Sequence, residues 1–183
     1  MPTTLTQEMS AAARGVVALL LGNRSAAVNF DFSLRGLVGS FIVFIAAATI
    51  NVYLPLLMGV EGGGPPWQAL AMVALLYGLQ LAFAGLFLRQ IGRLDGLVPY
   101  MVADNWATFF VTILSAILGA TGATGDFALV VIGIAVLVIE VNIARLIVTL
   151  RPLHVFLFLV AQLAGAALGL VILGAFLPDI AAS

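Results

Sequence analysis

The stretch Phe127–Arg151, FALVVIGIAVLVIEVNIARLIVTLR, decides the fold class. It is long enough to cross a bilayer as a helix, because about 20 apolar residues span a hydrocarbon core of roughly 30 Å. Its second half nevertheless carries Glu140, Asn142 and Arg145. Charged groups are costly in hydrocarbon, so we expect these side chains to find partners inside the protein.

The composition of the whole chain indicates a polytopic membrane protein. Of its 183 residues, 63% are hydrophobic and 8% are charged, whereas a soluble domain has roughly 45–50% apolar and about 25% charged residues. The net charge of −1 does not favour nucleic-acid binding, and the absence of cysteine excludes disulfides and thiolate chemistry. No Ser–His–Asp set, HExxH motif or paired-metal pattern occurs, so we predict no enzyme activity, no catalytic or metal site and no cofactor.

Apolar runs separated by short turns predict an all-α bundle of five transmembrane helices within residues 34–183. Asp31 and Ser33 offer N-caps for the first helix, and Pro55 predicts a kink one turn before it. The turn EGGGPP at Glu61–Pro66 lacks the preceding strand and following lysine of a nucleotide-binding loop. A second turn, TGATGD, separates the third and fourth helices. The predicted spans are 34–60, 67–91, 98–120, 127–150 and 153–177.

Residues 1–33 form a predicted N-terminal cytoplasmic segment. In its stretch LTQEMSAAARGVVALLLG, Glu8 precedes Arg14, and the apolar core after Arg14 is too short for a secretory signal peptide. Met9, Val16 and Leu20 can share one helical face, with Glu8 elsewhere. We predict an amphipathic helix on the membrane surface, and a frayed terminal helix is the alternative.

The distribution of charge predicts the orientation of the chain. Five spans place the two termini on opposite sides of the membrane. All seven basic residues are arginines, and they lie on or near the side that receives the N-terminal segment and the loops after the second and fourth spans. The other side receives Glu61, Asp126 and Asp179. The positive-inside rule therefore predicts a cytoplasmic N-terminus and a C-terminus on the opposite side of the membrane.

Polar residues recur at a similar depth in four of the five predicted spans. With a rise of about 1.5 Å per helical residue, Gln80, Asp104, Glu140 and Gln162 come out roughly 12–16 Å from the cytoplasmic ends, and Arg145 roughly 9 Å. Such groups belong inside a helix bundle or along a wet cavity. The predicted intramembrane polar layer consists of Gln80, Asp104, Asn105, Glu140, Asn142, Arg145 and Gln162.

Helical spacing suggests how the layer is paired. In a regular helix Asn142, Arg145 and Thr149 share a face, whereas Glu140 and Arg145 point apart. We expect Arg145 to pair with Asp104 across the fourth and third spans. Glu140 would then bond to an amide or stay protonated; the candidate amides are Gln80, Asn105 and Gln162.

Three roles are open for the polar layer. It can fix helix packing through interhelical hydrogen bonds, form a proton or ion pathway, or bind a lipid or partner. A typical interhelical hydrogen bond contributes only about 0.6 kcal/mol, so stability alone is a weak reason to carry two buried acids.

The last span carries two further features. Ala161, Gly165 and Gly169 recur at four-residue spacing, which lets another helix approach closely, and we expect that helix to be internal. His154, the single histidine, is expected to be an interfacial residue rather than a cofactor ligand.

The order of elements resembles the bacterial members of the Yip1 family of five-span membrane proteins. The similar features are the amphipathic N-terminal segment, the connection IGRLDG at Ile91–Gly96 and the dipeptide Pro99–Tyr100. The acidic-Leu-Tyr-Gly motif of the eukaryotic branch is absent, so no functional residue is carried over. The segment Pro99–Trp106 also looks like uncharacterised five-span proteins of the bacterial inner membrane. These resemblances imply a location in the bacterial inner membrane, with a periplasmic C-terminus, and a role in membrane trafficking or organisation.

The sequence thus predicts a non-enzymatic membrane protein that organises the membrane or binds partners. Membrane lipids are the predicted ligands, with a protein partner or a second copy in the membrane as further candidates. The alternative is a small transporter or channel subunit that uses Asp104, Glu140 and Arg145. A water-accessible path to Glu140 favours transport, whereas a dry and paired layer favours a structural role.

Overall fold

The computed structural model describes residues 4–59, 65–122 and 125–176, which form helices and no strand. Short 3₁₀ helices at Arg24–Asn29 and Leu94–Gly96 precede the second and fourth α-helices, and a π turn at Ile143–Ile147 continues the fifth. The six α-helices are α1 (Leu5–Leu20), α2 (Leu34–Leu57), α3 (Pro66–Gln90), α4 (Leu97–Ala120), α5 (Asp126–Asn142) and α6 (Pro152–Phe176).

Five helical segments are long and apolar enough to span a membrane, as the sequence predicted. Their limits differ from the predicted ones by a few residues, except that α5 gives way to the π turn seven residues before the predicted end of its span. Val60, the start of the turn Glu61–Pro66, and Asp179 lie outside the described residues. The five segments are Leu34–Leu57, Pro66–Gln90, Leu94–Ala120, Asp126–Ile147 and Pro152–Ala175.

The chain folds as two compact units. The first consists of Met1–Ala47 and Asp95–Val155, and the second of Ala48–Leu94 and Phe156–Ser183. The first unit therefore contains α1, the start of α2, α4, α5 and the π turn. The second contains the end of α2, α3 and most of α6.

Local hydrogen bonds explain where the first helices begin. The N–H of Gln7 donates to Thr4 Oγ1 at 3.4 Å, and the N–H of Thr4 donates to Gln7 Oε1 at 3.0 Å, which is a capping box for α1. The N–H of Gly36 donates to Ser33 Oγ at 3.3 Å, and the N–H of Ser33 donates to Asp31 Oδ1 at 2.9 Å. The predicted N-cap role of Ser33 is confirmed, whereas Asp31 bonds to Ser33 before the helix and does not cap it. The kink at Pro55 stays a prediction.

In the first unit, α1 packs against α4, α5 and the 3₁₀ helix Arg24–Asn29. Its buried residues recur at helical spacing and are Glu8, Ala12, Gly15, Val16 and Leu19. Met9 and Leu20 are 40% and 44% exposed. Of the predicted apolar face, only Val16 is buried within the protein, and Glu8 lies on the buried side. That α1 rests on a membrane surface stays a prediction.

The middle of α4 is the most enclosed part of the first unit. All six residues from Val102 to Ala107 are buried. Six consecutive residues cover more than one helical turn, so α4 is surrounded on every side at this level. The ring of Trp106 stacks on Phe110 with centroids 6.0 Å apart and meets Phe109 edge-on at 6.1 Å. The two polar members of this run, Asp104 and Asn105, consequently sit where water is excluded.

In the second unit, α6 lies close against α3. A Cβ atom added at Gly165 would lie 2.7 Å from the carbonyl oxygen of Leu79, and one added at Gly169 would lie 2.7 Å from Leu76 Cδ2. The third member of the predicted small-residue series, Ala161, is half-buried. Small residues therefore let the α3 and α6 backbones approach.

Candidate functional site

The predicted polar layer is divided between the two units. The first unit holds Asp104, Asn105, Glu140, Asn142 and Arg145, and the second holds Gln80 and Gln162. Gln162 is buried, and Gln80 is half-buried on the stretch of α3 that faces Gly165. The hydrogen bonds described below all lie within the first unit.

A buried amide joins α4 to α2. Asn105 Nδ2 donates to Ser40 Oγ at 3.0 Å, and both residues are 0% exposed. The hydroxyl of Ser40 in turn donates to the carbonyl of Leu37 at 2.8 Å. The sequence analysis did not select Ser40, because a lone serine in an apolar helix can satisfy its hydroxyl on its own backbone and so gives no distinctive signal.

Two carboxyl groups meet between α4 and α5. The side chains of Asp104 and Glu140 form a hydrogen bond with each other. Such a bond contains a proton, because an ionised carboxylate can only accept. The second oxygen of Glu140, Oε2, is buried and has no hydrogen-bond partner among the described residues. Glu140 thus bonds to the other acid rather than to one of the amides expected from the sequence.

Asn142 ties α5 to the N-terminal helix. Its Nδ2 donates to the carbonyl of Leu19 at 2.8 Å in a buried contact. Leu19 lies in the last turn of α1, and its carbonyl also accepts from the N–H of Gly22 at 3.0 Å. The partner of Asn142 is therefore at the end of a helix outside the five long segments, which spacing within the spans could not predict.

A π turn ends the fifth helix and changes its phase. The N–H of Val148 donates to the carbonyl of Ile143 at 3.0 Å, five residues back instead of four. Asn142 is buried, whereas Arg145 and Thr149 are exposed. The predicted common face of these three residues was therefore wrong.

The exposure of Arg145 also removes the expected partner of Asp104. The Asp104 carboxyl bonds to Glu140 instead, and no hydrogen bond or ion pair to Arg145 occurs in the described chain. The extra residue in the π turn turns Arg145 outward.

Glu8 is a buried acid that the sequence analysis placed away from the apolar face of α1. It is 9% exposed, and its Oε1 has no hydrogen-bond partner among the described residues. The carboxyl lies over Gly39 of α2, where an added Cβ would be 3.1 Å from Oε1. Burial raises the pKa of Glu8, the negative charge of Asp31 raises it further, and Arg35 opposes both.

Together these contacts connect four helices of the first unit in a closed series. Ser40 and Asn105 join α2 to α4, the carboxyl pair joins α4 to α5, Asn142 joins α5 to α1, and Glu8 returns to α2. No group of three or more His, Cys, Asp or Glu residues able to hold a metal ion occurs in residues 4–59, 65–122 and 125–176. The chemistry of this layer is hydrogen bonding and proton sharing.

A separate feature is an apolar groove of about 240 Å³ in the second unit. It runs between the start of α3 and the end of α6. Its lining includes Trp67, Met72 and Leu75 from α3, with Ile172 and Leu173 from α6. A groove of this composition offers contacts to an apolar chain and no polar recognition.

Comparison of the chain with protein-family models, with curated proteins and with solved structures gave no match. The class of protein is therefore assigned from the fold alone. It is an all-helical protein with five helices that are long and apolar enough to cross a membrane.

Proposed function

We propose that the protein is a non-enzymatic integral membrane protein that organises the membrane or binds lipids or a partner, with its polar layer in a structural role. The observation that carries the proposal is that polar side chains of the long helices bond to one another. Asn105 is bonded to Ser40, Asp104 to Glu140, and Asn142 to the end of α1. A group that already has a partner is less available to a moving substrate.

The location proposed for the protein is the bacterial inner membrane, with the N-terminus cytoplasmic and the C-terminus periplasmic. The partition of the arginines supports this orientation. A reporter fused after Ser183 should then indicate a periplasmic location, and one inserted at Gly92 a cytoplasmic location. A cytoplasmic signal from both fusions would contradict the five-span topology.

Binding of lipids is supported by the surface of the long helices. Many of their large apolar side chains are exposed, and the groove between α3 and α6 is apolar. In a bilayer these surfaces contact acyl chains, whereas in water they would be an aggregation liability. A protein partner or a second copy could cover part of the same surface.

Transport is the competing function, and flux through a sealed membrane separates the two. Purified protein is reconstituted into liposomes that contain a pH-sensitive dye, and a proton gradient is imposed. We expect the proton flux to equal that of protein-free liposomes and to be unchanged in Glu140→Gln. A flux in the wild type that Glu140→Gln abolishes would overturn the structural role in favour of a proton path.

A further inference from the structure

We propose that Arg24, Arg145 and Arg151 form a binding surface for the phosphate headgroup of an anionic phospholipid. We call these three residues the arginine patch. The inference rests on the lipid-binding part of the proposed function and adds a headgroup class and a location to it.

The backbone brings the first two arginines onto neighbouring elements. Arg24 is the first residue of the 3₁₀ helix, which packs against the π turn that contains Arg145. The side chain of Asn23 caps this 3₁₀ helix, with Oδ1 accepting from the N–H of Ser25 at 2.9 Å. The bond from Asn142 to Leu19 holds the end of α1 beside them. Arg24 and Arg145 are therefore positioned by buried contacts rather than by a loose loop.

The π turn presents Arg145 to the outside. Ile143 and Ala144 just before it are 0% exposed, while Arg145 itself is exposed. The turn is followed by Thr149, whose φ of 60° lies in the left-handed region that a β-branched residue rarely adopts. Wide turns of this kind and strained backbone occur often at functional sites. Two residues later the chain reaches the exposed Arg151, just before Pro152 begins α6.

The patch has no counter-charge within the described chain. None of its three arginines forms a hydrogen bond or an ion pair among residues 4–59, 65–122 and 125–176. The acids of the same unit are used elsewhere: Glu8 is buried over Gly39, and Asp31 accepts from Ser33. Asp95 has an interaction partner of its own, which is none of these arginines. The patch is therefore free to bind a counter-charge from outside the described chain.

Depth and surroundings favour a lipid headgroup as that counter-charge. The patch lies where α5 ends and α6 begins, which are the ends of two helices long enough to span the hydrocarbon core. Guanidinium groups bind phosphate oxygens through paired, charge-assisted hydrogen bonds. Large apolar side chains are exposed on the same segments, namely Leu21, Val28 and Leu153 at 76%, 84% and 66%. An anionic lipid supplies both the phosphate and the apolar chains.

The test uses the full-length protein in detergent micelles. Short-chain phosphatidylglycerol, short-chain phosphatidylcholine and inorganic phosphate are titrated separately, and bound ligand is counted by native mass spectrometry. We expect the wild type to prefer phosphatidylglycerol. Replacing one patch arginine by glutamine should weaken this binding roughly fivefold, because an arginine near an anionic surface is worth about that factor. Arg14→Gln is the matched control, since Arg14 is exposed but bonds to Ser10 on α1, and it should bind as the wild type does.

A second measurement separates the loss of lipid binding from misfolding of a variant. Phosphatidylglycerol should raise the unfolding temperature of the wild type and of Arg14→Gln, but not that of the triple glutamine variant of the patch. Equal binding of the two lipids by the wild type, or an undiminished preference in the triple variant, would overturn the proposal. Inorganic phosphate binding as tightly as phosphatidylglycerol would assign the patch to a soluble anion and also overturn it. The liposome flux assay does not depend on headgroup binding. It therefore tests the structural role of the polar layer separately from this proposal.

Discussion

Replacing Gly165 by alanine should push α3 and α6 apart. The added Cβ would lie 2.7 Å from the carbonyl oxygen of Leu79, 3.0 Å from its carbonyl carbon and 3.1 Å from the Cα of Gln80. All three are backbone atoms, so no side-chain rotation can relieve the overlap. Gly174 on the same helix is the matched control, because a Cβ there meets nothing within 4 Å.

The size of the effect follows from two opposing contributions. An extra carbon in a well-packed contact typically costs about 1–3 kcal/mol. Alanine is favoured over glycine inside a helix by roughly 0.5–1 kcal/mol. We therefore expect Gly174→Ala to be neutral or stabilising. The Gly165→Ala variant should be less stable than Gly174→Ala by about 1–3 kcal/mol, because the difference between the two variants contains only the steric cost.

The assay is reversible unfolding of each purified variant in mixed micelles of a mild detergent and a denaturing detergent, followed by circular dichroism. The midpoint of Gly165→Ala should fall at a lower fraction of denaturing detergent than that of the control. If Gly165→Ala were as stable as Gly174→Ala, the close approach of α3 and α6 would be refuted.

Three further predictions concern the first unit. Asn142→Asp should destabilise the fold by about 1–3 kcal/mol, because a carboxylate cannot donate to the carbonyl of Leu19. In the same unfolding assay, Asn142→Ala should lower the stability by a smaller amount. A double-mutant cycle of Ser40→Ala and Asn105→Ala should give a coupling of about 0.6 kcal/mol and no more than about 1.7, and additive effects would mean that the two side chains do not bond. Because the pKa of Glu8 is raised above 4.5, the folded state holds this proton more tightly than the unfolded state. The contribution of Glu8 to stability should therefore be greatest below about pH 4.5 and fall as the pH rises through the raised pKa. Glu8→Gln should remove that part of the pH dependence, and an unchanged profile would contradict the buried position of Glu8.

The long helices could be predicted from sequence because membrane thickness fixes their length and their turns are marked by glycine, proline and charge. The N-cap Ser33 could be predicted for a similarly local reason: its side chain bonds to a backbone group three residues away. Information of this kind is contained in a short window of the chain.

The pairing within the polar layer could not be predicted in the same way. It depends on the rotation of each helix about its axis, and the π turn changes that rotation at Arg145 without a glycine or proline to mark it. The burial of Glu8 could not be predicted because an amphipathic pattern marks only the apolar face of a helix, whereas α1 also buries a face that includes this acid. The partner of Asn142 lies 123 residues away, beyond any local signal.

The central claim is that a set of polar side chains in the first unit is paired and closed to water; the set is Ser40, Asp104, Asn105, Glu140 and Asn142. The chain has no cysteine, so single cysteines can be introduced without removing any native thiol. Ala103 and Ala144 are both 0% exposed and lie beside Asp104 and Arg145, while Val28 is 84% exposed. Each alanine, and Val28 as the control, is replaced by cysteine, and the protein in liposomes is treated with a water-soluble maleimide before and after denaturation. We expect Val28→Cys to react at once, and Ala103→Cys and Ala144→Cys to react only after denaturation. Labelling of either buried position in the folded protein at the rate of Val28→Cys would show a water path into the layer and contradict the claim.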